Sequence, residues 1–161
     1  MRTDTPDYQR RLDALDFSML HDNRQRAHQL ETAQVILVNV PGVNKTTQVA
    51  IWLGNRGIKV ATYPVALCEL PPDLLLIESP LVLGLYSDFA GVLRLRQGDM
   101  FSFEKFKKLT PAMVQAIEAE TAHIRNLCQE MRWPELDVTA HSTEEIGLAI
   151  LSLLDERQKT N

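Results

Sequence analysis

The chain has 161 residues, with 17 Lys+Arg against 21 Asp+Glu for a formal charge of −4, and it is 45% hydrophobic and 24% charged. That balance suits one folded domain with its own core, is too apolar for disorder, and lacks the basic surface a nucleic-acid-coating protein needs. With no apolar run near the roughly 20 residues of a membrane span, no secretory pattern at Met1-Arg2-Thr3-Asp4, and two cysteines far apart (Cys68 and Cys128), the expectation is a cytoplasmic protein with reduced thiols and neither membrane nor nucleic-acid partners.

Tyr8, Leu12, Leu15 and Met19 recur at helical spacing and predict an opening amphipathic helix, broken at His21-Asp22-Asn23-Arg24 and followed by loop to His28. Val35-Ile36-Leu37-Val38 is a run apolar on both faces, the signature of a strand in a parallel sheet covered by helices. After a loop around Pro41 and Gly42, Val49, Trp52 and Leu53 share one helical face, and Gly57 is the expected stop. Residues 58 to 63 predict a second strand halted by Pro64, Leu70-Pro71-Pro72 a loop, and Leu81-Val82-Leu83-Gly84-Leu85 a third strand. Thr110-Pro111 marks a helix start, and Met113, Val114, Ile117, Thr121, Ile124, Cys128 and Met131 trace one long helical face. Residues 136 to 139 predict a short strand, and Ser142-Thr143-Glu144-Glu145 is a capping box opening a helix with Ile146, Ala149, Ile150, Leu153 and Leu154 on its face. Strand and helix alternate, so the predicted class is α/β, a parallel sheet flanked by helices. A leading helix and loop (1–32) precede the α/β portion (33–161), the two making a single compact domain.

Ligands of open α/β sheets bind beyond the carboxyl ends of the strands, so the loop from Val38 to Thr46 is the candidate site. Lys45-Thr46 stands after a buried strand and opens a helix, where a phosphate-cradling loop carries its Lys and its metal-binding hydroxyl. The two glycine positions of such a loop hold Asn39 and Asn44 instead; Asn is the residue that best tolerates positive φ after glycine. The competing reading of this spacing is a plain turn with a helix-start pair facing solvent. The four histidines (His21, His28, His123, His141) have no ligand-like spacing, so no metal cluster is expected from them. Phe101, Phe103 and Phe106 beside Lys105, Lys107 and Lys108 are expected to serve packing rather than single-strand binding.

Several stretches together resemble the pyruvate, phosphate dikinase / phosphoenolpyruvate synthase regulatory proteins, a family of kinase/pyrophosphorylases, over their carboxy-terminal portion. They are Tyr8 to Asp22, then Ala33 to Thr46 (AQVILVNVPGVNKT, like A-D-V-V-L-I-G-V-S-R-T-x-K-T), Arg56 to Ala61 with Tyr63-Pro64, Gly84-Leu85 with Asp88, and Asp137-Val138-Thr139 with Ser142 to Ile146. The resemblance implies a P-loop-kinase-like fold that moves a phosphoryl group from ADP to a threonine of the dikinase or synthase and reverses this with inorganic phosphate, releasing pyrophosphate. By the same resemblance, Lys45 would neutralise phosphate, Thr46 would hold Mg²⁺, and Asn39, Val40, Pro41, Gly42, Val43 and Asn44 would offer backbone N–H groups to ADP. Asp22 would be the catalytic base and Arg96 a phosphate partner. The implied partner is a pyruvate, phosphate dikinase or phosphoenolpyruvate synthase, and a homo-oligomer is compatible with the pattern.

The departures from that pattern fall in functional places: Asn39 and Asn44 for glycines, Pro41-Gly42 for Ser-Arg, Asn23 for an acid, Thr47 for proline and Asp99 for an arginine. They imply weakened catalysis. The alternative reading is a non-catalytic nucleotide- or protein-binding module that kept the fold.

Overall fold

The computed structural model describes residues 5–22, 27–40, 45–66, 69, 72–87, 111–139 and 141–160. Among them lie four strands: β1 (Val35–Asn39), β2 (Val60–Pro64), β3 (Leu81–Tyr86) and β4 (Glu135–Asp137). The helices are α1 (Pro6–Leu20), α2 (Lys45–Gly54), a single turn α3 (Pro72–Leu75), α4 (Pro111–Met131) and α5 (Thr143–Lys159), with a 3-10 segment over Ala27–Thr32. The sheet order is β2-β1-β3-β4 and every pairing is parallel, as the runs apolar on both faces predict. Val35, Leu37, Val60, Leu81, Leu83 and Leu85 face α2 and α5, while Ile36, Val38, Ala61, Tyr63 and Val82 face α4.

This strand order creates a switch point. From β1 the chain runs through α2 outward to β2, and from β3 it runs through α4 outward to β4 on the other side. Parallel crossovers are right-handed, so opposite directions put α2 and α4 on opposite faces. The carboxyl ends of β1 and β3 therefore diverge, and a crevice opens between them.

Local chemistry explains most boundaries. Thr5 caps α1 by accepting from the Tyr8 amide at 3.2 Å, with Pro6 in the first turn. Ser142 and Glu145 form the reciprocal capping box of α5. Beyond α2, the Gly57 amide bonds to the Gly54 carbonyl and the Ile58 amide to the Leu53 carbonyl. Gly57 takes φ +81 there, a left-handed helix stop that a side chain would strain.

Four expectations change. The buried face of α1 is not Tyr8–Leu12–Leu15–Met19: Ala14 and Ser18 are buried, while Leu12 and Met19 are exposed. The small pair lets α1 lie close against β2, where the Val60 amide donates to Ser18 Oγ at 3.4 Å, and larger apolar residues rotate outward. The loop expected through His28 yields to the 3-10 segment starting at Ala27, anchored by buried Leu30. Strand β2 begins at Val60 rather than residue 58, because Ile58 is used in the helix stop and the Lys59 amide bonds to the Gln34 side chain. It also includes Pro64, tolerated at the last position of a strand paired on one side. Finally, β4 spans Glu135–Asp137, and Thr139 lies in the following turn, held by Asp137.

The predicted face of α4 holds, with Ile117, Ile124 and Cys128 buried. Its end is unusual: Arg132 takes φ 58 where glycine is favoured, while the Trp133 amide bonds to the Cys128 carbonyl. No described helix is long and apolar enough to cross a membrane.

Candidate functional site

Val40, Lys45, Thr46, Leu85, Tyr86, Ser87 and Val138 line a small cleft of about 10 Å³, water-sized, at the carboxyl rim of the sheet. The cleft thus occupies the switch point between β1 and β3, roofed by the first turn of α2. Lys45 and Thr46 open α2 as the strand–loop–helix spacing predicts, with Thr46 buried against the sheet and Lys45 half-buried. Among the described residues no carboxylate pairs with the Lys45 ammonium. A cation and the amide-bearing end of a helix then face the same small space, an arrangement that favours an anion.

Asn39 ends β1 and is buried. Its Nδ2 donates to the Val40 carbonyl at 2.9 Å, while Oδ1 has no partner among the described residues. In register Asn39 stands beside Leu85, so it shares the sheet face that α2 covers. Val40 follows as a buried wall of the cleft. Pro41, Gly42, Val43, Asn44 and Arg96 lie outside the described residues, as do Asn23, Cys68, Asp88, Asp99 and the residues 101–108 cluster.

Asp22 is placed differently from the cleft residues. Its Oδ1 accepts from Thr62 Oγ1 at 2.6 Å and from Thr47 Oγ1 at 3.1 Å. Thr47 is in the first turn of α2 and Thr62 in β2, so the carboxylate ties the end of α1 to both. It therefore touches the same helix end as Lys45 but on the β2 side, whereas the cleft opens on the β3 side. The preceding residue, His21, is buried, stacked on Phe17 at 3.8 Å between ring centroids, with Nδ1 2.8 Å from the Phe17 carbonyl. Its carbonyl accepts from the Thr62 amide, which fixes the backbone that presents Asp22.

The residues that spacing missed lie on the far wall. Ser87, just beyond β3, is buried, and its Oγ is 3.2 Å from Thr139 Oγ1. Thr139 in turn donates both its hydroxyl (2.5 Å) and its amide (2.9 Å) to Asp137 Oδ1. Burial works to raise the Asp137 carboxyl, but the Thr139 hydroxyl and amide, with the charges of His141 and Arg125, outweigh it and hold the group below its ordinary value. No local pattern joins Ser87 to a residue 52 positions away; Asp137 to Thr139 read in the sequence as strand, and the turn that Thr139 makes on Asp137 emerges only in the structure.

Of the remaining histidines, His123 is structural, its Nε2 lying 2.7 Å from the Glu69 carbonyl, and His141 pairs with Glu145 at 3.2 Å. Cys128 is free and buried; burial pushes its thiol up to about 12, helped by the Glu135 charge, so it is neutral.

The kinase/pyrophosphorylase family model matches residues 1–151. A protein of Chelativorans sp. carrying the name pyruvate, phosphate dikinase regulatory protein is 39% identical over 148 residues, which is 91% of this chain and 54% of that relative. Proteins of the same name from Brucella anthropi (39% identical) and Bartonella henselae (37%) each match 92% of this chain over 54% of their own length. The chain therefore spans about half the length of the curated relatives it matches.

Proposed function

The chain belongs to the kinase/pyrophosphorylase family, and on that basis we propose that it is the phosphate-binding portion of an ADP-dependent serine/threonine kinase and phosphate-dependent pyrophosphorylase. The proposed partner is a pyruvate, phosphate dikinase or phosphoenolpyruvate synthase, after the printed names of its relatives, and the proposed compartment is the cytoplasm. The observation that carries the reading is that Lys45, which pairs with no carboxylate among the described residues, stands with the head of α2 at the switch-point cleft.

In the forward reaction the β-phosphoryl group of ADP passes to a protein hydroxyl: an O–P bond to the acceptor forms and the bond to AMP breaks. Lys45 and the amides of the first turn of α2 hold the phosphates and balance charge gathering on their oxygens. Asp22, across the head of α2 from the cleft, would take the acceptor's proton where the acceptor hydroxyl enters from the β2 side. A carboxylate has about four acceptor positions, and Thr62 and Thr47 leave room for a further donor. The cleft lining includes two hydroxyl residues, Thr46 and Ser87, whose oxygens are of the kind taken by Mg²⁺, a hard cation that keeps most of its shell as water and phosphate oxygen. When bound, that ion spreads the negative charge of the phosphates.

Asn39 favours a second reading. A side chain stands buried where the family pattern has glycine, with its amide tied to the Val40 carbonyl, which suits a nucleotide-binding module with little transfer activity.

Calorimetry with ADP and Mg²⁺ tests the reading. Lys45→Ala should weaken binding by roughly ten- to a hundredfold, the worth of hydrogen bonds to a charged group. Absence of binding by the wild type at millimolar ADP would remove the nucleotide from the account. Where binding is seen, incubation of a dikinase with ADP and the protein, followed by mass spectrometry of its threonines, separates kinase from binding module.

A further inference from the structure

The hydroxyls on the far wall of the cleft have a fixed polarity. An ionised carboxylate only accepts, so the 2.5 Å contact between Thr139 Oγ1 and Asp137 Oδ1 must contain the threonine's single hydroxyl proton. Thr139 Oγ1 can then meet Ser87 only as an acceptor, and the 3.2 Å bond between them is donated by Ser87. With its one proton turned away toward Thr139, Ser87 offers the cleft lone pairs alone. On the same sheet face, next to Leu85, stands a second acceptor that meets no donor among the described residues, Asn39 Oδ1. Its orientation is secure, because reversing the amide would set its oxygen against the Val40 carbonyl. Ser87 lines the cleft with Lys45 and Thr46, and Asn39 lies behind it, paired in register with the lining residue Leu85.

Acceptors of this kind are poor neighbours for a phosphate oxygen and good ones for a small hard cation or its bound water. We propose that Ser87, with its hydroxyl turned by the Thr139–Asp137 pair, is an oxygen ligand, direct or through water, for the divalent cation that accompanies the nucleotide, with Asn39 as its neighbour. The Lys–Thr pair of the loop does not predict this role, and the Asn39 oxygen has no counterpart where a loop carries glycine. Thr139 and Asp137 are positioning residues. The inference rests on the nucleotide reading above and adds which wall of the cleft receives the cation.

The test compares ADP affinity with Mg²⁺ and with EDTA in the wild type, Ser87→Ala, Thr139→Val and Thr139→Ser. Electron paramagnetic resonance of Mn²⁺ in the presence of ADP reports the cation directly. Ser87→Ala and Thr139→Val should each weaken Mn²⁺ binding about tenfold while leaving ADP affinity in EDTA within twofold. Thr139→Val should even tighten ADP in EDTA, since the Ser87 proton becomes free to meet phosphate. Thr139→Ser, which keeps the hydroxyl, should restore Mn²⁺ affinity. Equal losses with and without metal would overturn the proposal in favour of a structural role, as would unchanged Mn²⁺ binding in Ser87→Ala. A wild type whose ADP affinity is the same in Mg²⁺ and EDTA would overturn it while sparing the nucleotide reading. A wild type that binds no ADP at all would overturn both.

Discussion

Gly84, in the middle of β3, faces the thiol of Cys128 on α4, and a Cβ built there would lie 2.4 Å from Sγ. Ordinary contacts between such atoms are about 3.5–4.0 Å, so Gly84→Ala demands more than an ångström of movement. Neither side can yield cheaply. Gly84 is paired with Val38 on β1 and Glu135 on β4, and α4 is seated by Ile124 and Leu127 on either side of the register. Overpacking of this kind costs about 1–3 kcal/mol, and the rigidity on both sides places Gly84→Ala near the top of that range. Cys128→Ala alone removes one buried sulfur, close in size to a methylene deletion, and should cost about 1 kcal/mol. In the double variant the new methyl occupies the space the sulfur left, so the pair should be no less stable than Cys128→Ala. The coupling is then about 2–3 kcal/mol in favour of the double variant. Urea and thermal unfolding of the four proteins measure it. For a domain of this size each kcal/mol moves Tm by roughly 2–4 °C, so Gly84→Ala should melt about 6–12 °C low and regain most of that when Cys128 is also shortened. Additive costs, or a Gly84→Ala midpoint within a degree of wild type, would refute the packing argument. Because β3 carries Leu85 to Ser87 into the cleft, ADP affinity in the single variant gives a second, independent readout.

Arg132 holds φ 58 at the end of α4 without the freedom of glycine, so Arg132→Gly should raise stability by about 1 kcal/mol, read from the urea midpoint; a destabilised variant would show that the arginine side chain matters more than its backbone. The Asp137 carboxyl is held below its ordinary value in the folded protein. The stabilisation it brings is complete above the unfolded value and drains away as pH falls through the folded one. Asp137→Asn should therefore flatten the acid limb of the stability profile below about pH 5, and identical limbs for the two proteins would count against that bond set.

The parallel α/β class was legible because Val35 to Val38 and Leu81 to Leu85 are apolar without alternation, which only a sheet covered on both faces accommodates. Caps and stops were legible for a similar reason: Ser142 with Glu145 and the Gly57 stop are short-range chemistry. The face of α1 was not, because Ala14 and Ser18 are buried by close approach to β2 and not by their own hydrophobicity. Nor was the turn α3, where Leu74 is buried under Tyr63, whose hydroxyl donates to Asp73 at 2.9 Å.

The amino-acid order alone determined the strand–loop–helix that brings Lys45 and Thr46 to the rim, since periodicity, caps and apolar runs act over a few residues. Tertiary structure alone decided that Asp22 is gripped by Thr47 and Thr62, across 25 and 40 positions, and that it stands on the β2 side of α2 while the cleft opens on the other. It also decided that Ser87 meets Thr139 across 52 positions. Strand order β2-β1-β3-β4 sets those neighbours, and strand order follows from how crossovers pack on a finished sheet, a property that no local window of sequence contains.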